Sequence, residues 1–189
     1  MTYYEIVKQA LAHLEFGTDD DSVSTHEERF IIYANDAVRN IAAALNIDRV
    51  ESVELSNNHF SVGDLDKEVT KIVEVSKGSR KYPFVRGSQL GDFAVIGCDP
   101  HATVDVRYRY VPDYITDGAK EPDIPKIFHP IIYLYVVHCH YNTRSTSTDY
   151  DRTKWLSEFE KERKRLSRQA YGALDTYAFH NRPWETGEM

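Results

Sequence analysis

The sequence predicts an α+β protein in which a bundle of about four helices is interrupted, between helices 2 and 3, by an inserted antiparallel β-sheet domain. Two observations predict this class. Apolar residues recur at helical spacing towards both ends of the 189-residue chain, whereas in the middle they alternate with polar residues as in strands. The predicted parts are an N-terminal helical pair over 1–48, the β domain over 49–115, a second helical pair over 116–174, and an extended C-terminal tail over 175–189.

The first helical pair is predicted from capping patterns. Thr2 and Glu5 fit a capping box, in which each side chain accepts a hydrogen bond from the other residue's backbone N–H. We expect the second helix to begin at Ser24 or Thr25, each followed three residues later by a glutamate, and to end at Asn46. Three consecutive aspartates lie between the helices without the ligand spacing of a Ca²⁺ loop, so we expect a solvated loop.

The middle of the chain has a period of two. The run "VTKIVEVSKGSRKYPFV" predicts two strands joined at residues 77–79, and "FAVIGCDPHATVDVRYRY" predicts another hairpin that turns at residues 99–100. Four residues share one face of the last strand: Val104, Val106, Tyr108 and Tyr110. Charged residues occupy its other face, so one face is expected in a core and the other in water. Four to six antiparallel strands are expected in all.

The second helical pair follows a proline-rich turn. Pro125 opens a helix expected over about residues 127–141, because a proline in the first turn removes only an N–H that would be unpaired anyway. Thr148 or Asp149 is expected to cap a long fourth helix that ends near Leu174. Its apolar stripe consists of Trp155, Phe159, Leu166, Ala170 and Leu174.

Histidines and a cysteine in and before the third helix raise the question of a metal site. His138 and His140 point in nearly opposite directions on a helix, and neither has a carboxylate four residues later. Nor is there an H-E-x-x-H or paired C-x-x-C motif, so we expect a helix buried on all sides, with His129 as an ordinary first-turn residue, and no metal. No motif for phosphate binding or nucleophilic catalysis is present, so we expect no cofactor and no enzyme.

Charge and cysteine content limit the classes of function that remain possible. The net charge of −7 argues against a protein that binds nucleic acid through its overall charge. Cys98 and Cys139 do not form a disulfide framework, and we expect reduced thiols in a cytosolic setting, without a signal peptide or membrane span. One local positive patch remains, which is either a solvated helix face or a contact with a neighbouring subunit or DNA: Lys161, Arg163, Lys164, Arg165 and Arg168.

A motif at the start of the third helix carries a resemblance. An acidic residue and a proline precede an aromatic residue, a basic residue and an isoleucine, here Asp123, Pro125, Phe128, His129 and Ile132. Tyr110, Pro112 and Tyr114 form the lead-in from the last strand. With the helix–sheet–helix layout, these residues resemble those of the head-to-tail connector, or adaptor, proteins of tailed bacteriophages, including the tail tubular and tail accessory types.

The resemblance implies a structural virion protein that forms a ring, often of twelve copies, beneath the portal protein. Such a ring, assembled in the host cytoplasm, lies in the virion neck and extends the channel through which DNA is ejected. Its partners would be other copies of itself, the portal protein, downstream tail or nozzle proteins, and packaged DNA that passes without sequence-specific binding. The C-terminal tail, with no period that would bury its aromatics, would order against the portal or a neighbouring subunit through Tyr177, Phe179, Arg182 and Trp184.

Two alternatives stay open at this point. The first is a nucleic-acid-binding or regulatory helical domain that uses the basic residues of 161–168. The second is a small-molecule enzyme with a histidine-lined pocket. The mass of the protein in solution, salt-dependent DNA binding and bound metal separate the three.

Overall fold

The structure is a computed structural model that describes residues 1–180, with side chains described for residues 1–170. Within this range the α-helices are α1 (Tyr3–His13), α2 (Asp20–Leu45), α3 (Ile132–Thr143) and α4 (Asp149–His180), and 3₁₀ helices cover Val62–Asp64 and Lys126–Ile131. The strands are β1 (Asp48–Glu54), β2 (His59–Ser61), β3 (Val69–Lys77), β4 (Arg80–Tyr82), β5 (Phe84–Arg86), β6 (Asp92–Val95) and β7 (Thr103–Tyr110). An antiparallel sheet region therefore lies between α2 and α3, which confirms the predicted fold class.

The chain divides into two compact units. One, the helical unit, consists of Met1–Ile41 and the chain from Ile115 onward. The other, the sheet unit, is Ala42–Tyr114. Four large side chains that are fully buried in the helical unit come from four different segments of it: Tyr3, Phe30, Phe128 and Phe159. The helical unit is therefore held together by contacts between residues far apart in sequence.

The first helix begins as predicted and the second does not. The Thr2 hydroxyl accepts from the Glu5 amide and the Thr2 amide donates to the Glu5 carboxylate, which confirms the capping box. α2 begins at Asp20, and the Asp19 carboxylate accepts a hydrogen bond from the Ser22 amide at 2.9 Å.

The predicted start at Ser24 or Thr25 is therefore wrong. Both hydroxyls lie inside the helix and donate to the Asp21 carbonyl, because Asp19 already provides a cap upstream. The end of α2 is confirmed, since Asn46 follows Leu45 with a left-handed φ of 51°.

α4 is longer than the sequence predicts. Thr148 caps it as expected, because its hydroxyl accepts from the Asp151 amide at 3.1 Å. The helix then continues past Leu174 to His180, so residues 175–180, which the sequence assigns to the extended tail, are helical. No proline or glycine occurs between Asp175 and Pro183, and each further residue adds a backbone hydrogen bond once a helix is formed.

The sheet unit contains two antiparallel sheets rather than one. Their strand orders are β1-β7-β3-β4 and β2-β6-β5. The turn between β3 and β4 falls at residues 78–79, which confirms the first predicted hairpin. The alternation in β7 is also confirmed, because Val104, Val106 and Tyr108 are fully buried. The seven strands within the described residues exceed the four to six expected.

The second predicted hairpin is wrong. β6 pairs with β2 and β5, whereas β7 pairs with β1 and β3, so residues 96–102 pass from one sheet to the other. The Asn58 amide donates to the Pro100 carbonyl at 3.0 Å, and the Ile96 amide donates to the Pro83 carbonyl at 2.8 Å. These long-range bonds hold the segment at both ends. The local turn at Asp99 and Pro100 is present, since the Ala102 amide donates to the Asp99 carbonyl at 3.1 Å, but it leads into β7 and does not join two paired strands.

Candidate functional site

The segment through which the chain returns from the sheet unit is residues 115–131, called here the return segment. It fastens the start of α1: the Tyr3 amide donates to the Lys120 carbonyl at 3.0 Å, and the Tyr4 amide donates to the Gly118 carbonyl at 2.8 Å. The first amides of a helix have no acceptor within it. The return segment therefore supplies the acceptors that α1 lacks.

Asn35 joins three parts of the helical unit. Its side chain is 1% exposed, and its Oδ1 accepts from the Tyr3 hydroxyl and from the Ile115 amide, both at 3.0 Å. Its Nδ2 donates to the Ile31 carbonyl at 2.9 Å and to the Ile115 carbonyl at 2.7 Å. Two donors and two accepting lone pairs are all that an asparagine side chain offers, so Asn35 is fully satisfied. It links α1, α2 and the first residue of the return segment.

Sequence reasoning missed Asn35. The only signal is a polar residue beside Ala34 on the apolar face of α2, and such a residue is commonly exposed. Its partners outside α2 lie 32 and 80 positions away, and nothing local indicates them.

The helix-start motif of the resemblance lies at the end of the return segment and the start of α3. Phe128, His129 and Ile132 are buried, Asp123 is half-buried, and Pro125 is exposed immediately before the 3₁₀ helix. His129 Nε2 lies 3.0 Å from the Ile124 carbonyl, so this nitrogen carries a proton and donates. Burial lowers the pKa of His129, which favours the neutral ring. The motif thus forms packing and internal hydrogen bonds.

The lead-in residues lie in the sheet unit. Tyr110 ends β7, Pro112 is buried, and Tyr114 is 44% exposed. The structure therefore divides the residues of the resemblance between the two units at Ile115.

The two later histidines of α3 contact different helices. His138 Nδ1 lies 2.7 Å from the Arg152 carbonyl on α4, and His140 Nδ1 lies 2.9 Å from Arg29 Nη2 on α2. Because a guanidinium only donates, Nδ1 of His140 accepts. Burial, followed by the nearby Arg29 charge, lowers the pKa of His140 to about 4. The His138 and His140 rings thus join α3 to its two neighbours, α4 and α2.

No group of three or more His, Cys, Asp or Glu side chains in the described part of the chain is arranged to hold a metal ion. Both cysteines are free, and burial raises the pKa of the Cys139 thiol to about 11, so it is protonated at neutral pH. That the protein binds no metal stays a prediction.

The basic stretch of α4 is partly neutralised. Arg163 is largely buried and donates to the Asn40 side chain on α2 and to the Glu160 carboxylate. Lys161 pairs with Glu158 at 3.9 Å and Arg165 pairs with Glu162 at 2.7 Å, whereas Lys164 and Arg168 are exposed. Glu160, which the spacing would equally pair with Lys164, contacts Arg163 instead. A role of this stretch in subunit or DNA contact stays a prediction.

The predicted contact residues of the tail lie outside the side chains that the structure describes. Tyr177 and Phe179 belong to the last turns of α4, but their side chains lie outside the described part, as do Arg182 and Trp184 entirely. Among the described residues, no helix combines the length and apolarity that a membrane crossing requires.

Comparison with known proteins gives little. No protein-family model matches the chain, and no curated protein matches it. One similar solved structure is the neck of an empty GTA particle, computed with C6 symmetry, with 12% sequence identity over 81% of this chain and 87% of that chain. The TM-score is 0.29, which is too low to indicate a shared fold or function.

Proposed function

We propose that this protein is a head-to-tail connector of a tailed phage-like particle. Its copies form a ring beneath the portal protein. This ring extends the DNA channel and provides the surface on which the tail components dock. One observation carries the proposal: the residues of the connector-like motif lead into α3 of a bundle that an antiparallel sheet region interrupts. These residues are Asp123, Pro125, Phe128, His129 and Ile132.

The helical unit suits the body of such a ring. A body that transmits load between portal and tail needs helices that keep their arrangement, and a fully bonded buried polar group fixes one arrangement because any other leaves it unpaired. Asn35 bonds to α1 and the return segment, and His140 bonds to Arg29 of α2. The motif residues Phe128 and His129 lie inside this network of packed helices.

The charge of the chain is compatible with the proposal. At −7, the protein repels phosphate on average, and a channel wall with that property lets DNA slide without being held. The proposed partners are further copies of the chain, with twelve as the expected number, the portal protein, tail or nozzle proteins, and DNA in transit. The location is the virion neck after assembly in the host cytoplasm.

The first test is the mass of the purified chain, measured by native mass spectrometry with and without portal rings from the same genome. We expect closed oligomers of one size, either alone or on the portal. A chain that stays monomeric under both conditions contradicts the proposal. Deleting residues 176–189 in parallel tests the tail: docking onto portal rings should be lost while the thermal unfolding transition changes little.

Nucleic-acid binding through residues 161–168 is the main alternative. Its affinity would fall steeply with salt, since each neutralised phosphate releases counterions. Three of the five cations in this stretch already have carboxylate partners, which leaves Lys164 and Arg168 to contribute. Salt-dependent binding of duplex DNA that is lost in Lys164→Ala/Arg168→Ala would favour this alternative over the connector.

A further inference from the structure

The sheet unit carries a strongly basic arm on an acidic protein. The arm is defined as β3, β4 and β5, residues 69–86, and contains five basic residues against one acidic residue. The basic residues are all exposed: Lys71, Lys77, Arg80, Lys81 and Arg86. Only Lys81 has an ion pair among the described contacts of the arm, with Glu74. The arm therefore keeps most of its charge available to a partner.

The arm also has open strand edges. β4 pairs with β3 only over residues 75–77, and after Pro83 the chain turns away, so that β5 pairs with β6 of the other sheet. β5 is the last strand of its sheet, and the side of β3 towards β4 is unpaired over residues 69–74 among the described strands. A cavity of about 810 Å³ lies between the two strands and is lined by residues 69–72 and 84–93. Unpaired strand edges of this kind are contact sites unless they are covered.

Apolar side chains are exposed around this cavity. Leu90 is fully exposed, and Val85 and Ile96 are each about half exposed. Val85 and Leu90 line the cavity, and the Ile96 amide is bonded to Pro83 in the arm. An apolar centre surrounded by charges is the composition of a protein interface.

A complementary surface lies on α2 of the same chain. Asp21, Glu28 and Asp36 lie on one exposed face of the helix, and Ile32, 41% exposed, lies among them. Asp21 and Glu28 have no ion pair among the described contacts. Arg29, exposed at one edge of the face, donates to His140, and Arg39 ends the acidic face one turn beyond Asp36. This face thus pairs acidic residues with one exposed apolar residue, in a pattern opposite in charge to the arm.

We propose that the basic arm of one copy docks on the acidic face of α2 of the next copy. Because the two surfaces are different, a pair of copies still has one free arm and one free acidic face, to which further copies can add. A head-to-tail contact of this kind makes a ring when its rotation closes, so the contact deepens the connector function proposed above and rests on it for its biological meaning. Opposite charges fix the register, and the apolar residues supply the buried area.

The test uses two charge-reversed variants of the full chain. Variant A is Lys77→Glu/Arg80→Glu on the arm, and variant B is Asp21→Lys/Glu28→Lys on α2. Alone, each places like charges at every contact, and the association constant measured by sedimentation velocity should fall more than tenfold. In an equimolar mixture, the acidic arm of A meets the basic α2 of B, while the unaltered arm of B meets the unaltered α2 of A, so association should recover.

The matched control reverses two exposed charges outside every proposed contact, Lys120→Glu/Lys154→Glu, and should associate like the natural sequence. Circular dichroism checks that each variant is folded, and the milder pair Lys77→Gln/Arg80→Gln replaces variant A if it is not. If variant A alone and variant B alone each associate as strongly as the control, the proposed contact is wrong, but the formation of a ring is not contradicted. A mixture that stays dissociated also overturns the contact. A natural chain that remains monomeric even with portal rings overturns both the contact and the connector function.

Discussion

Replacing Asn35 by leucine keeps the approximate volume of the side chain and removes all four of its hydrogen bonds. The Ile115 amide and carbonyl lose their bonds to the side chain, and the Tyr3 hydroxyl loses one partner. The Ile31 carbonyl is less affected, because it lies within α2, where it also accepts from the helix backbone. Each buried polar group left without a partner costs about 1–3 kcal/mol, and water can reach the half-buried Ile115 groups, so we expect a loss of about 2–4 kcal/mol.

The assay is urea unfolding followed by fluorescence in a Trp184→Phe background, so that only Trp155 in the helical unit reports. Asn142→Leu is the matched control, because Asn142 is an exposed asparagine on α3, and a surface substitution of this kind changes stability by about 0.5 kcal/mol or less. Adding Tyr3→Phe to Asn35→Leu should cost less than Tyr3→Phe alone, because the two residues share a bond. A loss below about 1 kcal/mol for Asn35→Leu would refute the view that this side chain holds the return segment in place.

Three further predictions concern α3. Leu134→Ala should destabilise the helical unit by about 2–5 kcal/mol in the same assay, because Leu134 is buried, and a loss under about 0.5 kcal/mol would show that α3 is not part of the core. The pKa of His140 is lowered to about 4, so the unfolded chain binds a proton below about pH 6.5 that the folded chain does not; stability should fall from pH 6.5 to 4, and His140→Phe should flatten that slope. Elemental analysis should find no stoichiometric zinc or iron, and one equivalent that His138→Ala abolishes would contradict our interpretation of the α3 histidines.

Features set by neighbouring residues could be predicted from the sequence. The capping box of Thr2 and Glu5, the cap at Thr148 and the alternation in β7 each depend on residues a few positions apart, and all three are present. The left-handed end of α2 at Asn46 is of the same kind. These local signals suffice for the helix–sheet–helix order and therefore for the fold class.

Features set by distant residues could not be predicted. The segment over residues 96–102 reads as a tight turn, yet Asn58 and Pro83 hold it as a crossing between two sheets. Asn35 reads as an ordinary helix residue, although its partners are Tyr3 and Ile115. The sequence shows the five positive charges of the basic stretch, but it does not show that Arg163 donates a hydrogen bond to Asn40 of another helix.

The start of α2 could not be predicted for a different reason. Asp19, Ser24 and Thr25 are all acceptable caps, and the choice depends on how far upstream the helix can continue. Asp20 and Asp21, two acidic residues in the first turn, favour the earlier start because they interact well with the positive end of the helix dipole. That preference is too small to be decided from spacing alone.

The connector function is tested most directly by electron cryomicroscopy of the full chain mixed with portal rings from the same genome. The proposal predicts a second ring of density, coaxial with the portal and continuous with its channel, whose subunits contain a helical bundle and a sheet region. Portal rings without added density, at protein concentrations where the chain is folded and in excess, would contradict it.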